Sequence, residues 1–198
     1  MAKVVLEMSM SLDGRVTGPD VGPEEPMGRG GEALHGWMFE GRSAAEAEAY
    51  QVGHFEDVGA VIVGRRMADL GIVHWGDEPA FHCPVFVVTT RPAETIEKAG
   101  GTSYTFVTGG IDEALRRARE AAEPADVIVG GGADIARQYL RAGAIDELWL
   151  HLVPMILGGG TRLFDDEPST IGLRSVEVTQ TPSVIHLIYG VERPADRA

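Results

Sequence analysis

Short apolar runs recur along the chain, and the polar residues between them set out a sequence of elements. Residues 3–11 (KVVLEMSMS), 60–64 (AVIVG), 84–90 (PVFVVTT), 104–108 (YTFVT), 126–131 (DVIVGG) and 147–157 (ELWLHLVPMIL) are rich in β-branched side chains and read as strands. The runs at 60–64, 84–90 and 126–131 are apolar almost throughout, the pattern of strands covered on both faces. Two further runs, 173–181 and 184–192, alternate more and flank Pro182 and Ser183. They predict a C-terminal antiparallel hairpin at a sheet edge.

Helical patterns fall between the strands. The segment from Ser43 places Glu46 three residues later, a capping-box arrangement. Ile111, Leu115, Ala118 and Ala122 share one helical face, and that helix has to stop before Pro124. Ile135, Tyr139 and Leu140 share another, ending at Gly143 as the expected cap. Strands alternating with single helices predict an α/β fold: a mixed, mostly parallel central sheet flanked by helices, closed by the hairpin. The 198 residues suit one domain, 1–198, with a long loop or insert at 18–42. Trp37, Met38 and Phe39 in that loop form an apolar cluster suited to covering something.

Charge narrows the partners. A net charge of −13 argues against nucleic acid or an acidic membrane, so any phosphate needs a local grip. Cys83 is the one cysteine, which excludes an intrachain disulfide and a cysteine-based metal cage. Glu7 interrupts the N-terminal apolar run too early for a signal peptide or a membrane span. A soluble, cytoplasmic protein is the expectation.

Three strand ends carry candidate anion-binding chemistry. DVIVGGGADIARQYL passes from a strand through Gly130, Gly131 and Gly132 into a helix, where unpartnered N–H groups and the helix dipole favour an anion. Glycines let a phosphate approach the backbone, although the same glycines could serve only a tight turn. Ile135 excludes the usual dinucleotide fingerprint, and no P-loop lysine follows. The second strand ends at Gly64, Arg65 and Arg66, and the third at Thr89, Thr90 and Arg91. Three such ends point to a nucleotide with several phosphates, held through guanidinium groups.

Taken together, MSMSLDG, VIVGRR, VVTTRP, VGGGADIARQYLRAGAIDELWLHLVPMILGGGTRLF and the final hairpin resemble one family across almost the whole chain. It is the reductase domain of bifunctional riboflavin-biosynthesis deaminase-reductases, with its stand-alone relatives. The resemblance implies a three-layer dihydrofolate reductase-like fold, a bound NADPH and a homodimer. It places Gly130, Gly131, Gly132 and Ala133 against the coenzyme phosphates, and Gly64, Arg65 and Arg66 against the pyrophosphate. Thr89 and Arg91 fall near the adenosine 2′-phosphate, and Thr17 and Gly18 in the loop over the nicotinamide. The family pattern Gly-Arg-x-Thr has Met67 in place of its threonine, so one hydroxyl contact is missing. The deaminase half, with its zinc signature, is absent from the chain.

Reduction of a C=N bond needs a proton at nitrogen as hydride arrives at carbon. Asp13, at the tip of the first strand, is the candidate catalytic residue, with an Asp-Gly turn role as its alternative. Glu46 and Glu48 lie on a comparable helix, though Glu46 also fits the cap. His35, Trp37 and Gly159 are candidates for substrate binding, with loop anchoring or a plain turn as the alternative. His74, His82 and Cys83 match no metal spacing, and no metal is expected. With Arg65, Arg66 and Arg91 on the coenzyme, Arg15, Arg42 and Arg162 remain for a substrate phosphate.

The reading is therefore an NADPH-dependent reductase of a small heterocyclic or ribosyl metabolite. By resemblance it is similar to 5-amino-6-(5-phosphoribosylamino)uracil reductase. Dihydrofolate or pterin reduction is the nearest rival. A non-catalytic nucleotide-binding module is the rival of another class, and a flavin-dependent reductase a third.

Overall fold

The computed structural model describes residues 2–39, 58–164 and 170–192. These fall into two compact units, one of 2–6 with 58–144, the other of 7–39 with 145–164 and 170–192. Strand β1 (Val4–Ser11) contributes to both.

The first unit is built on parallel pairing. Its strand order is β4 (Ile96–Glu97), β5 (Ser103–Val107), β3 (Pro84–Val88), β2 (Val58–Gly64), β6 (Asp126–Gly131) and the start of β1. Only β4 runs antiparallel, through Ile96 opposite Tyr104. Val4, Val5 and Leu6 pair in register with Val127, Ile128 and Val129. Val61, Ile62, Val63, Val85, Val87 and Val129 are at most 1% exposed, as the near-continuous apolar runs require. Each such side chain contributes roughly 1.5–3 kcal/mol by leaving water. Two-residue β4 has no periodicity to read, so the sequence did not announce it.

Helices cover this sheet. α2 (Arg65–His74) follows β2 directly, α3 (Gly110–Ala122) leads into β6, and α4 (Ala133–Arg141) leaves it. α3 buries Ala114, Leu115, Ala118 and Ala122, the predicted stripe. α4 buries Ile135, Ala136, Tyr139 and Leu140. It ends at Gly143 (φ 63°), whose N–H reaches the Leu140 carbonyl while Ala144 N–H reaches that of Tyr139, a Schellman pattern.

The second unit is antiparallel: β7 (Glu147–Val153) pairs with β9 (Ile185–Val191), and β9 with β8 (Leu173–Gln180). The expected hairpin is present. β8 is exposed along nearly its whole length, as an edge strand should be. β7 stops at Val153, short of the 157 expected, because Pro154 has no N–H to continue the ladder. Parallel strands, flanking helices and the antiparallel end together give the mixed, mostly parallel fold that the sequence predicted.

The segment from residue 18 is held by its own backbone. Gly18 N–H bonds the Met27 carbonyl at 2.9 Å, and Arg29 N–H bonds that of Pro19 at 2.8 Å. A 3-10 turn (Gly31–His35) then leads into α1 (Gly36–Phe39). Leu34 and Trp37 pack with Val153 and Val184 in one buried cluster. The helix expected from Ser43, with Glu46 and Glu48, lies outside the described residues, as does Arg42.

Candidate functional site

In the first unit the candidate residues gather at strand ends. Glycine stands at the N-cap of both α2 (Gly64) and α4 (Gly132), so neither cap residue supplies a side-chain acceptor. Gly131 has φ 116°, a conformation reserved for glycine, and its peptide to Gly132 is cis. A Cβ on Gly132 would meet nothing within 4 Å, so the turn presents bare backbone to open space. Ala133, the first residue of α4, is buried. Asp134 in the same turn is engaged by the Gln138 amide at 2.8 Å. A Cβ on Gly130 would meet Val61 and Val63 at ordinary contact distance.

Gly64 has a packing reason as well. A Cβ there would come within 2.9 Å of Ile135 Cγ1. Ile135, the residue that breaks the dinucleotide fingerprint, thus fills the space that Gly64 leaves.

Arg65 and Arg91 converge from the ends of β2 and β3. Arg65 Nε donates to Asp69 Oδ1 at 2.6 Å, and Arg91 Nη2 donates to Asp69 Oδ2 at 2.8 Å. Arg65 Nη1 also donates to the Arg91 carbonyl at 2.9 Å, and its guanidinium lies 5.0 Å from the Phe106 ring centroid. The Thr89 hydroxyl accepts from the Arg91 N–H at 3.0 Å and donates to its carbonyl at 3.3 Å, fixing the turn. Partial burial acts to raise the Asp69 pKa, but hydrogen bonds and charge from Arg65 and then Arg91 outweigh it and hold the carboxyl below its ordinary value. Arg66 is exposed at the start of α2.

In the second unit the polar groups are inside. Glu7, Ser9 and Ser11 alternate along one face of β1, and each is engaged. Glu7 Oε1 lies 3.1 Å from His151 Nε2, and His151 Nδ1 lies 2.7 Å from His186 Nδ1. Two ring nitrogens at that distance share one proton, so the chain has only paired tautomers open to it. Trp37 packs on both imidazoles, at 4.7 and 5.0 Å between centroids, and its Nε1–H donates to Ser9 Oγ at 3.2 Å. It is 7% exposed, as a side chain that anchors its loop would be. His35 is half-buried beside this group. Burial first, then the charge of His151, lowers its pKa from 6.5 to about 4.

Asp13 is a clamp. Its Oδ1 accepts from the Ser11 hydroxyl at 2.6 Å and from Leu157 N–H at 3.0 Å. Its Oδ2 accepts from Gly158 N–H at 2.9 Å. The Ser11 and Leu157 hydrogen bonds lead in lowering the carboxyl pKa from 3.8 to about 2, against a smaller opposing effect of burial. This geometry fits the Asp-Gly turn role that the sequence offered beside catalysis. Arg15 Nη1 is occupied by the Gly160 carbonyl at 2.8 Å, with Nε 3.8 Å from Asp13. The Thr17 hydroxyl accepts from Thr161 N–H at 3.3 Å. A Cβ on Gly18 would collide with the Arg29 carbonyl, and one on Gly160 with that of Thr17, so both glycines serve close backbone packing here. A Cβ on Gly159 would meet Pro19 at ordinary contact distance.

Glu7, His151, His186 and Asp69 escaped the sequence reading. A signal existed: each of the first three is a lone ionisable residue inside an apolar run, and Asp69 stands four residues after Arg65 on a helix. His74 closes α2, and in the loop that follows the His82 ring bonds the Gly100 carbonyl and Cys83 is buried. Among the described residues no helix is long and apolar enough to cross a membrane, and no cluster is arranged to hold a metal ion.

The sheet with its antiparallel end and the glycine turns opening helices define a riboflavin-biosynthesis-reductase-like α/β protein. The chain belongs to the RibD C-terminal domain family, whose model matches residues 2–187. The uncharacterized protein YwjB of Bacillus subtilis is 24% identical over 189 residues, 94% of this chain and 97% of its own length. The riboflavin biosynthesis reductase Rib7 of Saccharomyces cerevisiae has a similar fold, with a TM-score of 0.55, 17% identity and coverage of 97% of this chain and 89% of that one. RibD of Acinetobacter baumannii superposes with a TM-score of 0.63 at 16% identity, over 98% of this chain and 59% of its own.

Proposed function

We propose that the protein is an NADPH-dependent reductase of a small heterocyclic or ribosyl metabolite. The observation that carries this is the pair of helix N-termini after Gly64 and Gly132, beside the arginine pair at the ends of β2 and β3. Such N-termini suit an anion without a basic surface, which an acidic chain requires. Rib7, a riboflavin biosynthesis reductase, shares the fold.

When bound, the nicotinamide supplies the hydride. The chain's own residues then divide the remaining work. The α2 and α4 N-termini and the bare Gly132 backbone hold the pyrophosphate. Arg91, braced by Arg65, meets the 2′-phosphate. Asp13 fixes the Leu157–Gly158 turn, next to Gly159. Water delivers the proton to the acceptor nitrogen.

Dihydropterin reduction stands as a second reading for a specific reason. Arg15, one of the cations left for a substrate phosphate, is already bound to the Gly160 carbonyl. That favours an acceptor needing no phosphate grip over a phosphorylated ribosylaminouracil. Titrating the protein with NADPH and NADH by nicotinamide fluorescence, then adding each acceptor and following nicotinamide absorbance, tests the proposal. Binding followed by oxidation is expected. Binding that no acceptor ever discharges would leave a nucleotide-binding module, and no binding of either coenzyme would overturn the reading.

A further inference from the structure

Two arginines from different strand ends share one carboxylate, and each carboxylate oxygen holds a different arginine. The arginines are not equivalent. Arg65 has three engagements, with Asp69, the Arg91 carbonyl and the Phe106 ring, and its side chain is 23% exposed. It is a brace. The Arg91 side chain is 66% exposed and is held, among the described residues, through Asp69.

An ionised carboxylate and a guanidinium ask opposite things of a ribose. The carboxylate accepts a hydrogen bond from a 2′-hydroxyl, whereas the guanidinium donates to a 2′-phosphate. A phosphate monoester carries about −1.5 to −2 charge near pH 7, so a carboxylate beside it repels it. Here both kinds of group are present and bound to each other. Arg91 holds Asp69 through Nη2 alone, so a phosphate that its other N–H groups take lies beside the Asp69 carboxylate, whereas Asp69 can receive a hydroxyl without losing Arg65.

We propose that Asp69 is a specificity-determining residue for the adenosine ribose of the coenzyme. It accepts an unphosphorylated 2′-hydroxyl directly and weakens the hold of Arg91 on a 2′-phosphate. The inference rests on the coenzyme reading above and adds that this chain discriminates less sharply between NADPH and NADH than its arginines alone would make it.

The test is direct binding of NADPH and of NADH to the full chain in four forms: unaltered, Asp69→Asn, Asp69→Ser and Arg91→Ala. Asp69 is 41% exposed, so its variants are expected to fold, which circular dichroism checks. Asp69→Asn should lower the Kd for NADPH about tenfold and raise that for NADH about threefold, since one repulsive charge and one acceptor are lost. Asp69→Ser, which removes the charge without supplying an amide, should move the ratio the same way. Arg91→Ala should raise the Kd for NADPH and leave NADH within about twofold. If both Asp69 variants bind both coenzymes with an unmoved ratio, the role of Asp69 is refuted while the coenzyme reading stands. If the unaltered chain binds neither, both fall together.

Discussion

The two units use charged and polar side chains in opposite ways. At the β2 and β3 ends, Arg65, Arg91 and Asp69 form a surface group whose members can exchange partners with solvent or with a ligand. In the second unit, Glu7, His151 and His186 join through the interior of three strands, with His151 7% and His186 5% exposed. Exposed ion pairs stabilise by about 0–1 kcal/mol because water competes for both partners. Breaking a buried chain leaves a group that neither water nor protein satisfies, at a cost several times larger. The surface group is therefore suited to being displaced, and the buried one to holding its strands in register.

The largest effect expected from this contrast is at the buried chain. His151→Ala strips Glu7 of its imidazole and His186 of its shared proton. It should cost about 3 kcal/mol or more of unfolding free energy, read from the urea midpoint. A loss below about 1 kcal/mol would place the chain with the surface pairs.

A smaller effect is expected with pH. The His35 pKa falls from 6.5 to about 4 on folding, so between those values the unfolded chain binds more protons. The corresponding stability is complete above pH 6.5 and is lost as pH falls towards 4, by about 2 kcal/mol for a half-buried group. Asp13, lowered from 3.8 to about 2, adds a further loss below pH 3.8. Denaturation midpoints measured across this range should decline, and His35→Gln should flatten the upper part of the decline. An unchanged slope in that variant would remove His35 from the account.

The smallest change belongs to the surface group. Arg91→Ala should alter unfolding free energy by less than about 1 kcal/mol. A larger loss would mean that the arginine turn is structural and poorly suited to yield to a ligand.

Much of this was legible along the chain. The runs at 60–64 and 126–131 have no polar face, so they could only be strands covered on both sides, and the helix stripes from Ile111 and Ile135 faced the core as read. The glycines at 130–132 marked a turn opening a helix, and the backbone at Gly131 requires one. Other features depended on partners far away in sequence. Asp13 lies 144 residues from Leu157, whose N–H fixes it, and Glu7 lies 144 residues from His151. No local pattern encodes those distances. Trp37 looked equally suited to a pocket or an anchor until its indole met Ser9 and two imidazoles.

By itself, the sequence determined which segments bury a face, where the helices before Pro124 and Gly143 end, and which residue types stand at the strand ends. Those properties follow from periodicity, glycine conformation and proline's missing N–H, all local to a few residues. Only the tertiary structure decided that Arg65 and Arg91 share Asp69, that Asp13 clamps the turn at Leu157 and Gly158, and that two histidines face each other over one carboxylate. Ionisation and hydrogen bonding depend on which groups come within about 3 Å, and long-range strand pairing and the turns it brings together set that distance.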